Sequence, residues 1–76
     1  MFYEFICVLK TSILVMYEFR GAGSWGVIQG NMKTQEWKVI QQNEYCSDKE
    51  LSWVLYFARN RAKELNYPKR FIYASG

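Results

Sequence analysis

Apolar and polar residues alternate along the N-terminal part of the chain in a pattern that indicates β-strands. β-Branched and aromatic residues dominate residues 2–9 and 12–20. In the second stretch, apolar side chains at every second position fall on one face of a strand: Ile13, Val15, Tyr17 and Phe19. Between the stretches, Lys10 and Thr11 offer neither the Gly nor the Asn of a tight hairpin turn. Two strands are therefore predicted, with one long bent strand as the alternative.

Glycine and asparagine mark the turns that follow. Residues 21–26 are rich in turn formers, and a short strand is predicted through residues 25–29. Gly30 and Asn31 can both adopt positive φ, which a primed hairpin turn requires, so a tight turn is predicted there. A strand resumes near Glu36, and its imperfect alternation of apolar and polar residues is typical of an exposed or edge strand.

A helix is predicted to begin after Ser47. Ser47 and Glu50 fit a capping box, in which the Ser hydroxyl accepts an amide proton and the Glu side chain reaches back to the amide of the cap. Apolar residues then recur at spacings of three and four and form one stripe: Leu51, Val54, Leu55, Ala58, Ala62 and Leu65. Asn66 can end the helix in the left-handed conformation, and Pro68 prevents its continuation. Residues 69–75 are predicted to form the last strand.

These elements predict a small single α+β domain over residues 1–76, in the order β-β-β-β-α-β. One amphipathic helix covers one face of a mainly antiparallel sheet of four to five strands. The chain contains five Phe, six Tyr and three Trp, and a chain of 76 residues supports one core only. We therefore expect the second sheet face to be an interface, built from whichever aromatic residues point away from the helix: Trp25, Trp37, Tyr17 or Tyr45.

The charge of the chain is mildly basic, with ten Lys and Arg against seven Asp and Glu and a net charge of +3. Such a charge permits nucleic acid as a partner without requiring it. Basic residues concentrate around the end of the helix and the start of the last strand: Arg59, Arg61, Lys63, Lys69 and Arg70. Convergence of these cations near the helix C-terminus would suit phosphates or an acidic protein. Together with Asp48 and Glu50 at the helix N-terminus, they also complement the helix dipole, so a purely structural role stays open.

Groups that catalysis requires are scarce. The chain has no His, and so no imidazole base, no Ser-His or Cys-His pair and no zinc site of the Cys/His kind. A complete G-x-G-x-x-G occupies residues 21–26, but a strand follows it where dinucleotide binding needs a helix, which favours a hairpin loop. Cys46, beside the predicted helix N-terminus, is the one credible reactive thiol. We expect no enzymatic activity, no catalytic residue, no cofactor and no metal site.

The apolar N-terminus raises the alternatives of a signal peptide or a membrane span. Glu4 stands where a signal peptide carries positive charge, and Lys10 interrupts the apolar run. Cys7 and Cys46 lie in different sequence contexts and do not form a disulfide framework. We therefore expect a cytoplasmic protein with no membrane partner.

The predicted strands, followed by a helix capped by S-D-K-E-L at residues 47–51 with Trp53 in its first turns, resemble a known kind of small protein. The layout is similar to that of small phage-encoded inhibitors of host defence, including some anti-CRISPR proteins, and to that of small antitoxins. The resemblance covers the topology of most of the chain and no functional residue. It implies a stoichiometric blocker without an active site.

The residues themselves lead to the same hypothesis, because aromatic residues exceed what one core needs and catalytic groups are absent. The chain is predicted to be a non-enzymatic protein-binding module, an inhibitor from a phage or mobile element that occludes a host protein complex. The residues predicted to contact the partner are Trp25, Trp37, Arg59, Arg61, Lys63, Lys69 and Arg70. The alternative is a small nucleic-acid-binding module that uses the five basic residues of that set. Trp53, Tyr56 and Phe57 widen the apolar arc of the helix, so a homodimer is compatible with either function.

Overall fold

Five strands form one antiparallel sheet, and one helix packs across one of its faces. The structure is a computed structural model that describes residues 1–75. In chain order its elements are β1 (Phe2–Lys10), β2 (Leu14–Arg20), β3 (Trp25–Asn31), β4 (Trp37–Gln42), α1 (Asp48–Glu64) and β5 (Arg70–Ala74). The strands lie in the order β4-β3-β2-β1-β5, so α1 connects the two edges of the sheet. The predicted α+β class, the element order and the edge position of β4 are confirmed.

A short turn built by Thr11 separates β1 from β2, so the alternative of one bent strand is wrong. The Thr11 hydroxyl accepts hydrogen bonds from the amides of Ile13 at 3.2 Å and Leu14 at 2.9 Å. A Thr side chain can thus support the reversal without Gly or Asn. Ile13 lies in this turn and is 40% exposed. Its predicted place on one strand face with Val15 is wrong, because β2 begins only at Leu14.

The β2–β3 connection is the hairpin turn predicted for the glycine-rich segment. The Gly21 amide donates to the Ser24 carbonyl at 2.9 Å, and Gly23 adopts a φ of 87°. Trp25 and Gly26 already belong to β3. The segment therefore closes a strand-turn-strand unit, and no helix begins within it.

β3 runs through Gly30 and Asn31, so the primed turn predicted at these residues is wrong. The chain reverses over residues 32–36, where the Asn31 side-chain oxygen accepts hydrogen bonds from two turn amides at 2.9 and 3.0 Å. Gln35 supplies the left-handed conformation, with φ of 63°. Gly30 is required for space, because a Cβ there would come closer to the indole ring carbons of Trp37 than van der Waals contact allows. This glycine thus lets the ring pack flat on β3.

Both ends of α1 are capped by local hydrogen bonds. The Ser47 hydroxyl accepts the amide proton of Glu50 at 3.1 Å, which confirms the predicted N-cap. At the other end Asn66 and Tyr67 have φ of 59° and 53°. The Tyr67 amide donates to the carbonyl of Ala62 at 2.6 Å, closing a Schellman-type turn. The left-handed conformation predicted for Asn66 is confirmed.

The core lies between α1 and the sheet face that α1 covers. The strands contribute buried residues at alternate positions: Tyr3, Phe5, Val15, Tyr17, Phe19, Ile28 and Phe71. The helix contributes buried residues at spacings of three and four: Leu51, Val54, Ala58 and Ala62. The predicted stripe extends to Leu65, but that residue is the C-cap and is 41% exposed. The helix stripe is thus confirmed except at its last member.

Candidate functional site

α1 leaves the opposite side of the sheet uncovered within the chain, and we call this side the open face. Directly paired residues in antiparallel strands point to the same face, so the strand registers identify its members. Its apolar side chains come from four of the five strands: Phe2, Ile6, Leu9, Leu14, Met16, Trp25, Val27, Ile72 and Ala74. Phe2, Ile6, Leu9 and Ile72 are between 36% and 52% exposed. The open face therefore presents apolar side chains on a regular, hydrogen-bonded support.

Two ion pairs hold charged side chains on the open face. Arg70 donates to the Glu4 carboxylate at 2.6 Å, across the β5–β1 boundary. Arg20 lies 3.1 Å from the Glu18 carboxylate on the same strand. Each arginine thus has its charge matched by an acid within the chain. Among the described residues of this face, Lys38 is the cation without such a pair.

The four aromatic residues that were candidates for the second sheet face lie in three different places. Trp25 is half-buried on the open face, opposite Arg20 in the register of β2 and β3. Trp37 and Tyr17 lie on the covered face, where their rings stack with centroids 6.4 Å apart. Tyr45 lies in the loop before α1 and is 71% exposed. Trp25 and Trp37, both predicted to bind the partner, are thus on opposite faces of the sheet.

The basic residues of the predicted cluster are spread over several surfaces. Arg70 is on the open face, while Arg61 pairs with Glu64 at 2.7 Å on α1. Arg59 lies 5.9 Å from the centre of the Tyr56 ring. It lines a cleft shared with Trp37 on the β4 side of the helix, whereas Arg61 lines the groove on the β5 side. Arg61 and Lys63 lie in the last turn of α1, and Lys69 directly precedes β5.

Sequence reasoning missed one cation at that end of the molecule. The Lys10 ammonium donates to the carbonyl of Tyr67 at 3.3 Å and lies 6.0 Å from the centre of its ring. The sequence pattern marks Lys10 only as an interruption of the apolar N-terminus. Its partner is 57 residues away in the chain, so no local pattern signals this contact.

A buried polar cluster at the N-terminal end of α1 was also missed. The Glu50 carboxylate, predicted to reach back to the amide of the cap, instead accepts hydrogen bonds from the Tyr3 hydroxyl and from the Ser24 hydroxyl, the latter at 2.6 Å. Tyr3 and Ser24 are only 6% and 5% exposed. The cluster ties the start of α1 to β1 and to the β2–β3 turn. Its role is structural, because it joins three elements through one carboxylate.

The pKa of Tyr3 is raised from 10.0 to about 12. Burial of the ring is the main cause, and the hydrogen bond to Glu50 is the second. The folded protein therefore holds this phenol proton more tightly than the unfolded chain does. The resulting stabilisation is complete below pH 10 and is lost as the pH rises through about 12. Burial also raises the pKa of Tyr17, whose hydroxyl donates to the Pro68 carbonyl at 2.7 Å.

We expect the melting temperature of the protein to fall between pH 10 and pH 12, and Tyr3→Phe to lessen that fall. Part of the fall remains in the variant because burial also raises the pKa of Tyr17, so the unfolded chain loses that proton more readily than the folded protein does. At neutral pH the variant loses a buried hydrogen bond and should be about 1–3 kcal/mol less stable. Melting curves across this pH range, with the exposed Tyr56→Phe as control, provide the measurement. An alkaline fall of equal size in Tyr3→Phe and the wild type would contradict this explanation.

Cys46, the predicted reactive thiol, is half-buried next to the start of β3. Its Sγ donates to the Asn43 side-chain oxygen at 3.3 Å and lies 3.5 Å from the Trp25 carbonyl. Cys46 and Cys7 are both free thiols. The Cys46 sulfur thus takes part in the hydrogen bonds that connect the end of β4 to the start of β3.

Within residues 1–75 no three side chains of His, Cys, Asp or Glu gather as ligands for a metal ion. In the same described part of the chain, no helix combines the length and the apolar character needed to cross a membrane. Comparisons with models of protein families, with curated proteins and with solved structures find no match to this chain.

Proposed function

We propose that the protein is a non-enzymatic protein-binding module that covers the surface of a partner protein with its open face. The observation that carries the proposal is the composition of this face. Trp, Met and Arg are enriched at the centres of protein contacts, and the open face contains Trp25, Met16, Arg20 and Arg70 together. Exposed aliphatic side chains such as Leu9 lie among them. A rigid sheet can offer these groups to a partner with little loss of conformational entropy.

The charges of the open face favour a protein over a nucleic acid. Binding to a polyanion depends on cations that replace its counterions. Arg20 and Arg70 already have acidic partners within the chain. These ion pairs leave the open face nearly neutral. Such a face matches an apolar protein surface with a polar rim better than it matches a polyanion. The size also fits, since the molecule measures 32 × 24 × 18 Å and one partner in a standard protein contact buries about 800 Å².

The specific form of the proposal is a stoichiometric inhibitor from a phage or mobile element that occludes a host protein complex. Inhibition by occlusion requires affinity for the partner and a complementary shape, but it requires no catalytic group. This agrees with a chain that has no His. The resemblance in layout to small inhibitors of host defence supports this form. A cytoplasmic location follows if the blocked complex is cytoplasmic.

The experiment is capture from a host lysate with three tagged proteins. The first is the wild type, and the second is the open-face double variant Ile6→Ser/Leu9→Ser. The third is the matched control Tyr45→Ser/Leu65→Ser, which removes two side chains of similar or greater exposure away from the open face. Each lysate is divided into nuclease-treated and untreated halves. Any captured protein is then purified, and its affinity for the three proteins is compared by titration.

We expect the wild type and the control to capture one protein in stoichiometric amounts in both halves. The open-face variant should bind that protein at least about tenfold more weakly, a loss of about 1.4 kcal/mol. Equal affinity of the open-face variant would overturn the proposal, as would a wild type that captures no protein. Material that disappears after nuclease treatment would support the nucleic-acid alternative instead.

A further inference from the structure

Exposed lysines gather at one end of the molecule, which we call the lysine end: Lys10, Lys33, Lys63 and Lys69. Lys10 is the last residue of β1, and Lys33 lies in the turn between β3 and β4. Lys63 is in the last turn of α1, and Lys69 directly precedes β5. Because neighbouring strands are antiparallel, the end of β1, the β3–β4 turn and the start of β5 lie at the same end of the sheet.

Hydrogen bonds connect the segments that carry these lysines. The Lys10 ammonium donates to the carbonyl of Tyr67, in the loop between α1 and β5, at 3.3 Å. The Met32 amide of the β3–β4 turn donates to the carbonyl of Ile13 in the β1–β2 turn at 2.7 Å. The Gln35 side chain of the same turn donates to the Tyr67 hydroxyl at 2.7 Å. The lysines therefore project from one connected surface and not from independent loops.

The charges of the chain are separated along the molecule. Unpaired acids lie at the opposite end, in the loop before α1 and in its first turn: Glu44, Asp48 and Glu50. At the lysine end the acids are Glu36 and Glu64, and Glu64 is already paired with Arg61. The longest dimension is 32 Å, whereas physiological salt screens charges beyond about 8 Å. The distant acids therefore do not offset the positive potential of the lysine end.

The dipole of α1 accounts for only part of this arrangement. A cation in the last turn of a helix is stabilised by the negative end of the dipole, which explains Lys63. The effect falls off within one turn, and Lys33 belongs to a turn of the sheet. The gathering of cations on three segments thus requires a further explanation.

The choice of lysine over arginine indicates the chemistry of the ligand. Within residues 1–75 the ion pairs all use arginine: Arg20, Arg61 and Arg70. In that part of the chain no lysine is paired with a carboxylate. The planar guanidinium matches a carboxylate with two parallel hydrogen bonds, whereas the ammonium is a compact point charge that binds phosphates without a fixed geometry. Lysines alone at this end favour phosphates over an acidic protein surface.

We propose that the lysine end binds the phosphate backbone of a nucleic acid without reading its base sequence. Cations that neutralise phosphates release the counterions of the polyanion, and this release drives non-specific binding. One strand of a duplex presents a phosphate about every 3.4 Å along its axis. The molecule is 24 Å by 18 Å across its two shorter dimensions, so this end can lie over several phosphates.

This site is separate from the open face and does not rest on the proposed contact with a protein. The open face runs along the strands, while the lysine end is formed by turns, by a strand end and by the last turn of α1. Both surfaces can therefore be occupied together. A partner protein that itself holds a nucleic acid would meet the chain at two places.

The test measures binding to a short fluorescein-labelled DNA duplex by fluorescence anisotropy, between about 50 and 200 mM salt. The lysine-end variant is Lys10→Gln/Lys33→Gln/Lys69→Gln. The control, Lys38→Gln/Lys49→Gln/Arg59→Gln, removes the same charge from exposed positions elsewhere. A labelled polyglutamate peptide is titrated in parallel as the acidic-protein probe. Circular dichroism checks the fold of each variant.

We expect the wild type and the control to bind the duplex with a log-log salt slope of about −3.6, since each neutralised phosphate contributes about −0.9. The lysine-end variant should bind at least about tenfold more weakly at the lowest salt, with a slope of about −0.9 from Lys63 alone. A wild type that does not bind the duplex overturns the inference. Equal losses in the two variants, or tighter binding of polyglutamate than of the duplex, also overturn it. Capture through the open face uses other substitutions and is judged separately.

Discussion

Phe5→Ala is expected to lower the free energy of unfolding by about 3–5 kcal/mol. Phe5 is fully buried and lies where three elements meet. Its ring stacks on Phe71 of β5 with centroids 4.6 Å apart, and it contacts Phe57 of α1 at 5.6 Å and Phe19 of β2 at 6.4 Å. These rings belong to separate elements that are held by their own hydrogen bonds, so they cannot close together over the cavity. Small domains have about 5–15 kcal/mol of stability in total.

Urea unfolding followed by circular dichroism measures this loss. The matched control is Phe2→Ala, on the same strand but on the open face, where Phe2 is 52% exposed. We expect the control to cost less than about 1 kcal/mol, because much of that ring is already in water. Similar losses for Phe2→Ala and Phe5→Ala would mean that the core does not lie between α1 and the sheet.

Gly26→Ala is the second substitution with a large expected effect, a loss of about 1–3 kcal/mol from overpacking. A Cβ at Gly26 would lie 2.5 Å from a ring carbon of Phe19 and 2.7 Å from the carbonyl oxygen of Gln41. Phe19 is fully buried, and the carbonyl belongs to the backbone of the neighbouring strand. Relief would require movement of both strands that flank β3.

A double-mutant cycle with Phe19→Leu separates this steric explanation from a change in backbone propensity. The smaller Leu side chain makes room for the added methyl group, so the loss in the double variant should be smaller than the sum of the single losses. Unfolding free energies of the four proteins from urea titrations provide the cycle. Additive losses would show that Phe19 does not limit the space at Gly26.

The elements with strong periodicity could be predicted from the sequence. Alternate burial of Val15 and Phe19 comes from a face that must be apolar, and the same holds for Leu51 and Ala58 on α1. In each case the spacing of apolar residues reflects a single requirement, the burial of one face of the element. The order of strands and helix then followed, because β4 and β5 lie on either side of a capped amphipathic segment.

The turns were less predictable because one residue type can serve different needs. Thr11 supports a reversal that Gly or Asn usually supports. Gly30, which resembles a turn glycine, instead makes room for Trp37 within a strand. Glu50 has the spacing of a capping box, yet Tyr3 and Ser24 occupy its carboxylate. Those competing partners are distant in sequence, so the local pattern could not indicate them.

The candidate site was predictable only in part, for the same reason. The excess of aromatic residues predicted an interface on the second face, and Trp25 does lie on that face. Which tryptophan would face which way depended on turn lengths that the sequence left open. Arg70 belongs to a basic cluster along the chain, but its ion pair with Glu4 joins residues 66 positions apart. Only the folded sheet brings these two together.

The central claim, that the open face covers a partner protein, is tested most directly by fluorine NMR of protein labelled with fluorotryptophan. The three tryptophans report on both sides of the sheet, because Trp25 lies on the open face while Trp37 and Trp53 pack on the covered side. The variant Trp25→Phe assigns the resonance of Trp25. On addition of the captured partner, we predict that the Trp25 resonance shifts and loses its sensitivity to solvent deuteration, while the other two change little. A Trp25 resonance that stays unchanged while that of Trp37 or Trp53 shifts would contradict the claim.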